Sequence, residues 1–375
     1  MKTYNLIATA AAGIEGIVNR ELKDLGYETQ TENGRVRFKG SAEDIAKTNL
    51  WLRTADRIKV VVGEFKATSF EELFDQTYAI AWEDLLPMDA EFPVSGKSVK
   101  SKLYSVPNCQ RIVKKAIAKR VMDHYARKMP LSETGDYYPI EISILKDVAM
   151  ITLDTSGSSL FKRGYRTEKG GAPLKENMAA ALVKLTTWFP DRPLYDPTCG
   201  SGTILIEAAL MGRNIAPGLN RSFAAEKWDF FNPEVWQKEK TKARQEINHE
   251  VKLNIFGSDI DGRMIEIAKQ NAENAGVRED ITFKQMQLKD YRPDEEYGIL
   301  ISNPPYGDRL LDEEKVHRLY QDMGNIYRPM TTWSKYFLSS DDSFEKFYGE
   351  KASKKRKLYN GAIKVNYYQF WSTNK

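Results

Sequence analysis

Asn303-Pro304-Pro305-Tyr306 brings together residue types that could hold an amino group. Two successive prolines lack N–H groups and fix φ, so the chain there is stiff. Stiffness would hold the Asn303 side-chain oxygen and the Pro304 carbonyl as two acceptors in a set geometry. A nucleobase amino group donates two hydrogens, but its lone pair is delocalised into the ring. Gripping both hydrogens favours a pyramidal nitrogen and stabilises the positive charge that develops as it attacks an electrophile. Tyr306 offers a flat face for stacking a base, worth about 1–3 kcal/mol in single-strand binders. A proline-stiffened turn with Tyr306 as packing would use the same residues without chemistry.

A second motif weighs against that plain reading. The run Asp196-Pro197-Thr198-Cys199-Gly200-Ser201-Gly202-Thr203 joins a strand ending in an acid to a helix beginning near Ile204. Glycines let the backbone turn sharply and approach a nucleotide-like ligand at the carboxyl edge of a sheet. Asp259, at the end of the next strand, suits ribose hydroxyls as an acceptor. A dinucleotide oxidoreductase fits poorly, because a third glycine is absent and the acid lies far more than about 20 residues on. Cys109, Cys199, His124, His249 and His317 lack metal-ligand spacing, so no metal is expected.

Three blocks would position these motifs. Residues 1–67 read as β-α-β-β-α-β, the ferredoxin-like split unit. Asn33-Gly34 marks a hairpin turn with positive φ expected at both residues, and Ser41 with Asp44 a capping box. Residues 68–165 read as helix over Phe70–Leu86, an extended basic stretch, a helix over Gln110–Tyr125 and two strands. Residues 166–172, with Gly170-Gly171, read as a linker. From 173 to 375 helices alternate with strands, the pattern of a doubly wound parallel sheet. Leu174–Trp188 reads as a helix, and an Asn360-Gly361 turn as the tip of a terminal hairpin. Arg213–Val251 interrupts this block as an insertion carrying Trp228 and Trp236; these and Trp333 suit either core or interface.

The chain has 375 residues, 41% hydrophobic and 29% charged, enough for two or three domains at about 150 residues each. No apolar run approaches membrane-span length, and the short apolar start is below a convincing secretion signal; a cytoplasmic protein is expected. Net charge is only +4, but its distribution is uneven. Lys97, Lys100, Lys102, Arg111, Lys114, Lys115, Lys119, Arg120, Arg127 and Lys128 fall in a stretch with a single acid, Asp123. Val113, Ile117, Val121 and Tyr125 repeat every four residues, and Arg111, Lys115 and Lys119 repeat at the same interval on a different face, with Lys114 beside them. A second knot holds Lys351, Lys354, Lys355, Arg356 and Lys357. Such clusters are footprints for phosphates, or else solvated faces.

Together the two motifs resemble the amino-methyltransferases of the class I S-adenosylmethionine-dependent superfamily. Lys162-Arg163-Gly164-Tyr165-Arg166, Ile206-Glu207-Ala208 after the glycine turn, Asn303–Gly307 with Arg309, and Lys354–Gly361 narrow the likeness. They resemble the bacterial large-ribosomal-subunit guanine-N2 methyltransferases of the RlmL type, and the likeness covers nearly the whole chain. It implies an α/β fold: an N-terminal ferredoxin-like domain, a THUMP RNA-binding domain and a C-terminal Rossmann-like methyltransferase domain. It also implies S-adenosyl-L-methionine as cofactor and RNA as partner. Asp196, Thr198, Gly200, Gly202 and Thr203 would line the methionine and ribose end, with Pro197, Cys199 and Ser201 in the same turn. Ile260 or Asp261 would lie near the adenine. Where the family commonly has an acid at the adenine amino group, Gln287 stands here.

Three other readings share these features. A DNA adenine-N6 or cytosine-N4 methyltransferase would use the same box, but the stretch after the fourth strand is too short to expect a separate DNA-reading domain there, and the accessory mass lies toward the N-terminus. A THUMP-type transfer-RNA methyltransferase would share the chemistry. An RNA-binding assembly factor could retain the fold without catalysis.

Overall fold

In the computed structural model, residues 2–166, 174–229, 231–291, 293–305 and 313–373 are described. Contacts divide the chain into two units. The first comprises Met1–Ala10, Val18–Leu160 and Arg221–Lys242; the second Ala11–Ile17, Phe161–Asn220 and Ala243–Lys375.

The first sheet begins with β1 (Tyr4–Thr9), α1 (Glu15–Asp24), β2 (Thr29–Glu32), β3 (Arg35–Gly40), α2 (Ala42–Trp51) and β4 (Arg57–Lys66), the order expected for the ferredoxin-like unit. Ser41 and Asp44 close a reciprocal capping box on α2. The β2–β3 turn differs from expectation: Gly34 has φ +75° but Asn33 does not share the left-handed region. The turn with positive φ at both central residues lies instead at Lys146-Asp147. It joins two of the next elements: α3 (Phe70–Tyr78), β5 (Val94–Val99), α4 (Val106–His124), β6 (Ile140–Leu145) and β7 (Val148–Asp154). The helix read through Leu86 stops at Tyr78. A 3₁₀ turn at Trp82–Asp84 follows, with Trp82 buried and donating to the Thr77 carbonyl at 2.8 Å. β4 pairs antiparallel with β7, so one sheet of order β2-β3-β1-β4-β7-β6-β5 runs through both blocks.

In the second unit the chain continues with α5 (Glu176–Lys184), shorter than the helix read to Trp188, then β8 (Leu194–Asp196) and α6 (Thr203–Gly212). Part of the insertion between α6 and the next strand, including the start of α7 (Pro233–Gln245), belongs to the first unit. There Trp228 is buried, stacks on Tyr138 with ring centroids 5.1 Å apart and donates to the Tyr137 carbonyl. Trp236 stacks on Phe223; with Trp333 also buried, all three tryptophans are core residues.

The second sheet is completed by β9 (Ile255–Asp259), α8 (Gly262–Asn274), β10 (Ile281–Gln285), β11 (Ile299–Ser302), α9 (Glu313–Tyr327), β12 (Ser334–Ser339), α10 (Phe344–Tyr348), β13 (Lys354–Asn360) and β14 (Ile363–Phe370). Its order is β10-β9-β8-β11-β12-β14-β13, with β8 to β12 parallel and the last two strands antiparallel. The terminal turn is Gly361-Ala362, one residue beyond the expected position, because Asn360 still pairs with Ile363. Val316, Tyr320, Met323 and Tyr327 bury one face of α9 in an aromatic cluster with Phe337, Phe344 and Tyr348. That stripe, at helical spacing, was the unread signal for α9. After β8 the chain moves outward through β9 and β10, then returns to β11 on the other side. Ligands of such sheets sit at this reversal, beyond the carboxyl ends of the strands. Among the described residues no helix is long and apolar enough to cross a membrane.

Candidate active site

The carboxyl end of β8 runs into the glycine turn. Gly200 and Gly202 have φ +51° and +79°, which favours glycine at both. A Cβ on Gly202 would meet Ala268 and Phe283 at 3.1 Å, so this glycine is also needed for α6 and α8 to close on the sheet. A Cβ on Gly200 would meet only Met264 Cε, at 3.9 Å, leaving open space beside the turn. Backbone amides tie the turn to β9: Cys199 N donates to the Ser258 carbonyl at 2.9 Å, and Gly200 N to the Asp259 side chain, Oδ2, at 3.0 Å. Thr198 N donates to Asp196 Oδ1 at 3.1 Å, and the Thr198 and Ser302 hydroxyls lie 2.6 Å apart. Pro197 and the Cys199 thiol are buried, and burial pushes that thiol well up from its usual range.

Two acids face this turn. Burial pushes Asp196 up to about 8; the Asp259 charge adds to this, while the Thr198 amide and Ser302 hydroxyl oppose it. Asp259 is also raised, chiefly by burial. Its other oxygen accepts from the Asp261 amide at 3.0 Å, and Asp261 caps α8 through Arg263 N. Between them the Ile260 side chain is 69% exposed, an uncovered apolar surface beside the acid. Gln287 is exposed at the start of a 3₁₀ turn. Gln285, two residues earlier, is the one that reaches back, donating to the Ile260 carbonyl at 3.0 Å.

Sequence motifs quoted without a role acquire one here. Arg163 and Tyr165 are buried against the Glu207 carboxylate on α6, at 3.4 and 3.1 Å. Arg166 donates to Thr203 Oγ1 at 2.7 Å and pairs with Glu176 at 3.7 Å. From α8, Asn271 holds the Ser201 carbonyl and Asn274 the Tyr165 carbonyl. The start of α6 is thus clamped from two sides. These partners lie tens of residues apart, so spacing alone could not reveal them.

On the other flank, β11 ends at Ser302 and delivers Asn303. Asn303 Oδ1 is buried and has no hydrogen-bond partner among the described residues. An unmet buried acceptor costs about 1–3 kcal/mol, and this one stands at a strand end next to the glycine turn. Pro304 is buried and Pro305 half-buried; the Tyr320 hydroxyl of α9 lies 3.4 Å from the Pro305 carbonyl. Tyr306, with Gly307 and Arg309, lies outside the described residues, as do 167–172 of the expected linker. No group of side chains suited to a metal occurs among the described residues.

The basic clusters are less open than their sequence suggests. In the first unit Lys97 meets Glu141, Lys114 meets Glu133, Lys119 meets Asp123 and Arg120 meets Glu83. The Lys100, Lys102 and Lys115 side chains are exposed with no ion pair among the described residues, although the Lys102 amide donates to Asp147 Oδ1 at 2.7 Å, and Arg111 donates to Asn108. In the second unit Lys354, Lys355 and Arg356 lie on the edge strand β13, where Lys355 approaches Glu345 at 3.7 Å.

Comparison with known proteins places these units in families. Residues 163–369 match the RMKL-like methyltransferase domain, 5–59 the RlmL ferredoxin-like domain and 67–154 the THUMP domain. A Bacillus subtilis (strain 168) protein named as an RNA methyltransferase, YpsC, is 55% identical over 99% of this chain and 97% of its own. The ribosomal RNA large subunit methyltransferase K/L of Psychromonas ingrahamii is 36% identical over 94% of this chain, which spans about half of that protein (48%). The crystal structure of SMU.472, a methyltransferase complexed with SAH, superposes with a TM-score of 0.95 at 53% identity, covering both chains in full. The chain therefore belongs to the RMKL-like methyltransferase family, carrying that catalytic domain behind RlmL ferredoxin-like and THUMP domains.

Proposed function

We propose that this protein is an S-adenosylmethionine-dependent RNA methyltransferase of the RlmK/L type, working in the cytoplasm on guanine N2 of 23S ribosomal RNA. The single observation that carries the reading is Asn303 Oδ1, a buried acceptor beside a glycine-lined cradle with no partner among the described residues. A nucleobase amino group is a donor of the right kind for it.

The residues present fit the cofactor. Gly200 and Gly202 open the turn to close approach, and Asp196 offers a carboxylate for a positively charged methionine end. Asp259 offers acceptors for ribose hydroxyls, and exposed Ile260 an apolar face for an adenine ring. Pro197, Thr198, Cys199, Ser201, Thr203 and Asp261 complete the lining, with Gln287 assigned to the adenine amino group. When bound, S-adenosylmethionine supplies an electrophilic methyl group. The chain's own part is to orient and to charge-match: Asn303 and the Pro304 carbonyl accept the two amino hydrogens, Pro305 stiffens the edge, and Tyr306 stacks on the base. Lys100, Lys102, Arg111 and Lys115, with Lys97, Lys114 and Lys119 behind their acids, and Lys354, Lys355 and Arg356 would hold phosphates. Such contacts position RNA without choosing the base.

A tritiated-methyl assay on 23S ribosomal RNA, transfer RNA and DNA tests the assignment. Label is expected in the ribosomal RNA as N2-methylguanine; label confined to transfer RNA or to DNA overturns the substrate.

A further inference from the structure

The cofactor turn and the base-gripping edge belong to neighbouring strands, yet backbone pairing between them stops early. β8 and β11 pair through Leu194 with Ile299 and Tyr195 with Leu300. Among the described residues no residue pair of this ladder lies beyond Tyr195 and Leu300. On its other side the turn is well tied to β9, through Cys199 N and Gly200 N. Toward β11 the connection is made by side chains. The Thr198 and Ser302 hydroxyls meet at 2.6 Å, and Ser302 is fully buried. Asp196 accepts from Thr198 N at 3.1 Å. Thr198 thus links the last residue of β8, the cofactor turn and the residue immediately before Asn303.

We propose that Thr198 and Ser302 form a positioning pair whose hydroxyl bond fixes the separation between the methyl donor's turn and the amino-group acceptors. The inference rests on the methyl-transfer reading above, adds Ser302 to it, and gives Thr198 a second role through its hydroxyl. Its physical basis is the steep dependence of rate on placement: a misplacement of about 1 Å can cost on the order of a hundredfold. The Thr198 hydroxyl is bonded to Ser302, so the lining role proposed for Thr198 would fall to its backbone. Removing that hydroxyl therefore loosens the registry between the loops and leaves the lining of each in place.

The experiment compares Thr198→Val, Ser302→Ala and the double variant. Each single variant should lower kcat about 10–50-fold, while KM for S-adenosylmethionine, calorimetric Kd for S-adenosylhomocysteine and Kd for RNA stay within twofold. The double variant should be no worse than the worse single one, because both remove the same bond. Thr198→Ser and Ser302→Thr should recover kcat to within threefold. Amide exchange at Asn303 in the cofactor-free protein should quicken in both loss variants. Multiplying rate losses, or a tenfold weaker S-adenosylhomocysteine Kd in Thr198→Val, would overturn the pairing and make Thr198 a direct ligand. Asn303→Ala, run in parallel, separates the two claims: full turnover in that variant defeats the amino-group reading, whatever the pair does.

Discussion

The basic face of α4 and the end of β11 treat polar groups in opposite ways. On α4 and the neighbouring strands, cations that looked free in sequence are neutralised: Glu83, Glu133, Glu141 and Asp123 each take one. At the carboxyl end of β11, Asn303 Oδ1 is buried with no hydrogen-bond partner among the described residues, and two carboxyls are desolvated beside a glycine turn. A folded chain ordinarily satisfies most of what it buries. Thr152 Oγ1 and the Tyr348 hydroxyl are buried without a partner among the described residues as well, so it is the position of Asn303 beside the glycine turn, together with the missing bond, that makes it the candidate.

The largest effect should come from breaking the unsatisfied side of this contrast. Asn303→Ala is expected to lower kcat by about 10²–10³, the usual loss for a group aimed at charge developing in the transition state. Calorimetric Kd for S-adenosylhomocysteine should hold within threefold. Near-normal turnover would place the amino group elsewhere.

The desolvated acids give the next effect. Asp196, lifted to about 8, binds its proton more tightly folded than unfolded, where 3.8 applies. The cofactor-free protein should therefore lose stability as pH rises from about 4 to 8, and Asp196→Asn should raise Tm most at the upper end. A cationic methionine end favours the carboxylate. Affinity for S-adenosylhomocysteine should then climb up to about tenfold per unit toward pH 8 and level off above it. A flat profile in the native protein would remove Asp196 from that role.

Local signals proved legible because their causes are local. The Ser41 box and the glycine turn are each set by residues within a few positions of one another. What stayed hidden depends on long-range partners. Arg163 finds Glu207 across 44 residues and Arg166 finds Thr203 across 37. Lys146 and Asp147, neither of them glycine, take positive φ because the β6–β7 ladder leaves only two residues to turn with. The open cations could likewise be separated from the paired ones only once Glu133 and Glu141 were brought alongside.

That separation sharpens the charged side of the comparison. Reversing Lys100, Lys102 and Lys115 to Glu should weaken RNA binding about tenfold or more near physiological salt. It should also reduce the slope of log K against log salt by about two, since three single-strand phosphate contacts contribute about 0.7 each. Reversing Lys97, Lys114 and Lys119 should change the slope less, because their acids already compensate them. Equal slopes for the two sets would mean that the ion pairs open when RNA arrives.

The smallest effect tests the pairing itself. Lys119 Nζ lies 2.7 Å from Asp123 Oδ2 one helical turn away, and the Tyr78 hydroxyl also donates to Asp123. Both charged side chains are about half exposed, so water screens the pair and its loss should leave Tm nearly unchanged. Asp123→Ala would uncover Lys119 without adding a charge to the helix. RNA affinity should then rise about twofold and the salt slope steepen by less than one unit, measured by titration at several salt concentrations. If affinity falls instead, Asp123 is a positive contributor to the surface, and pairing with acids is how this face orients its lysines rather than how it silences them.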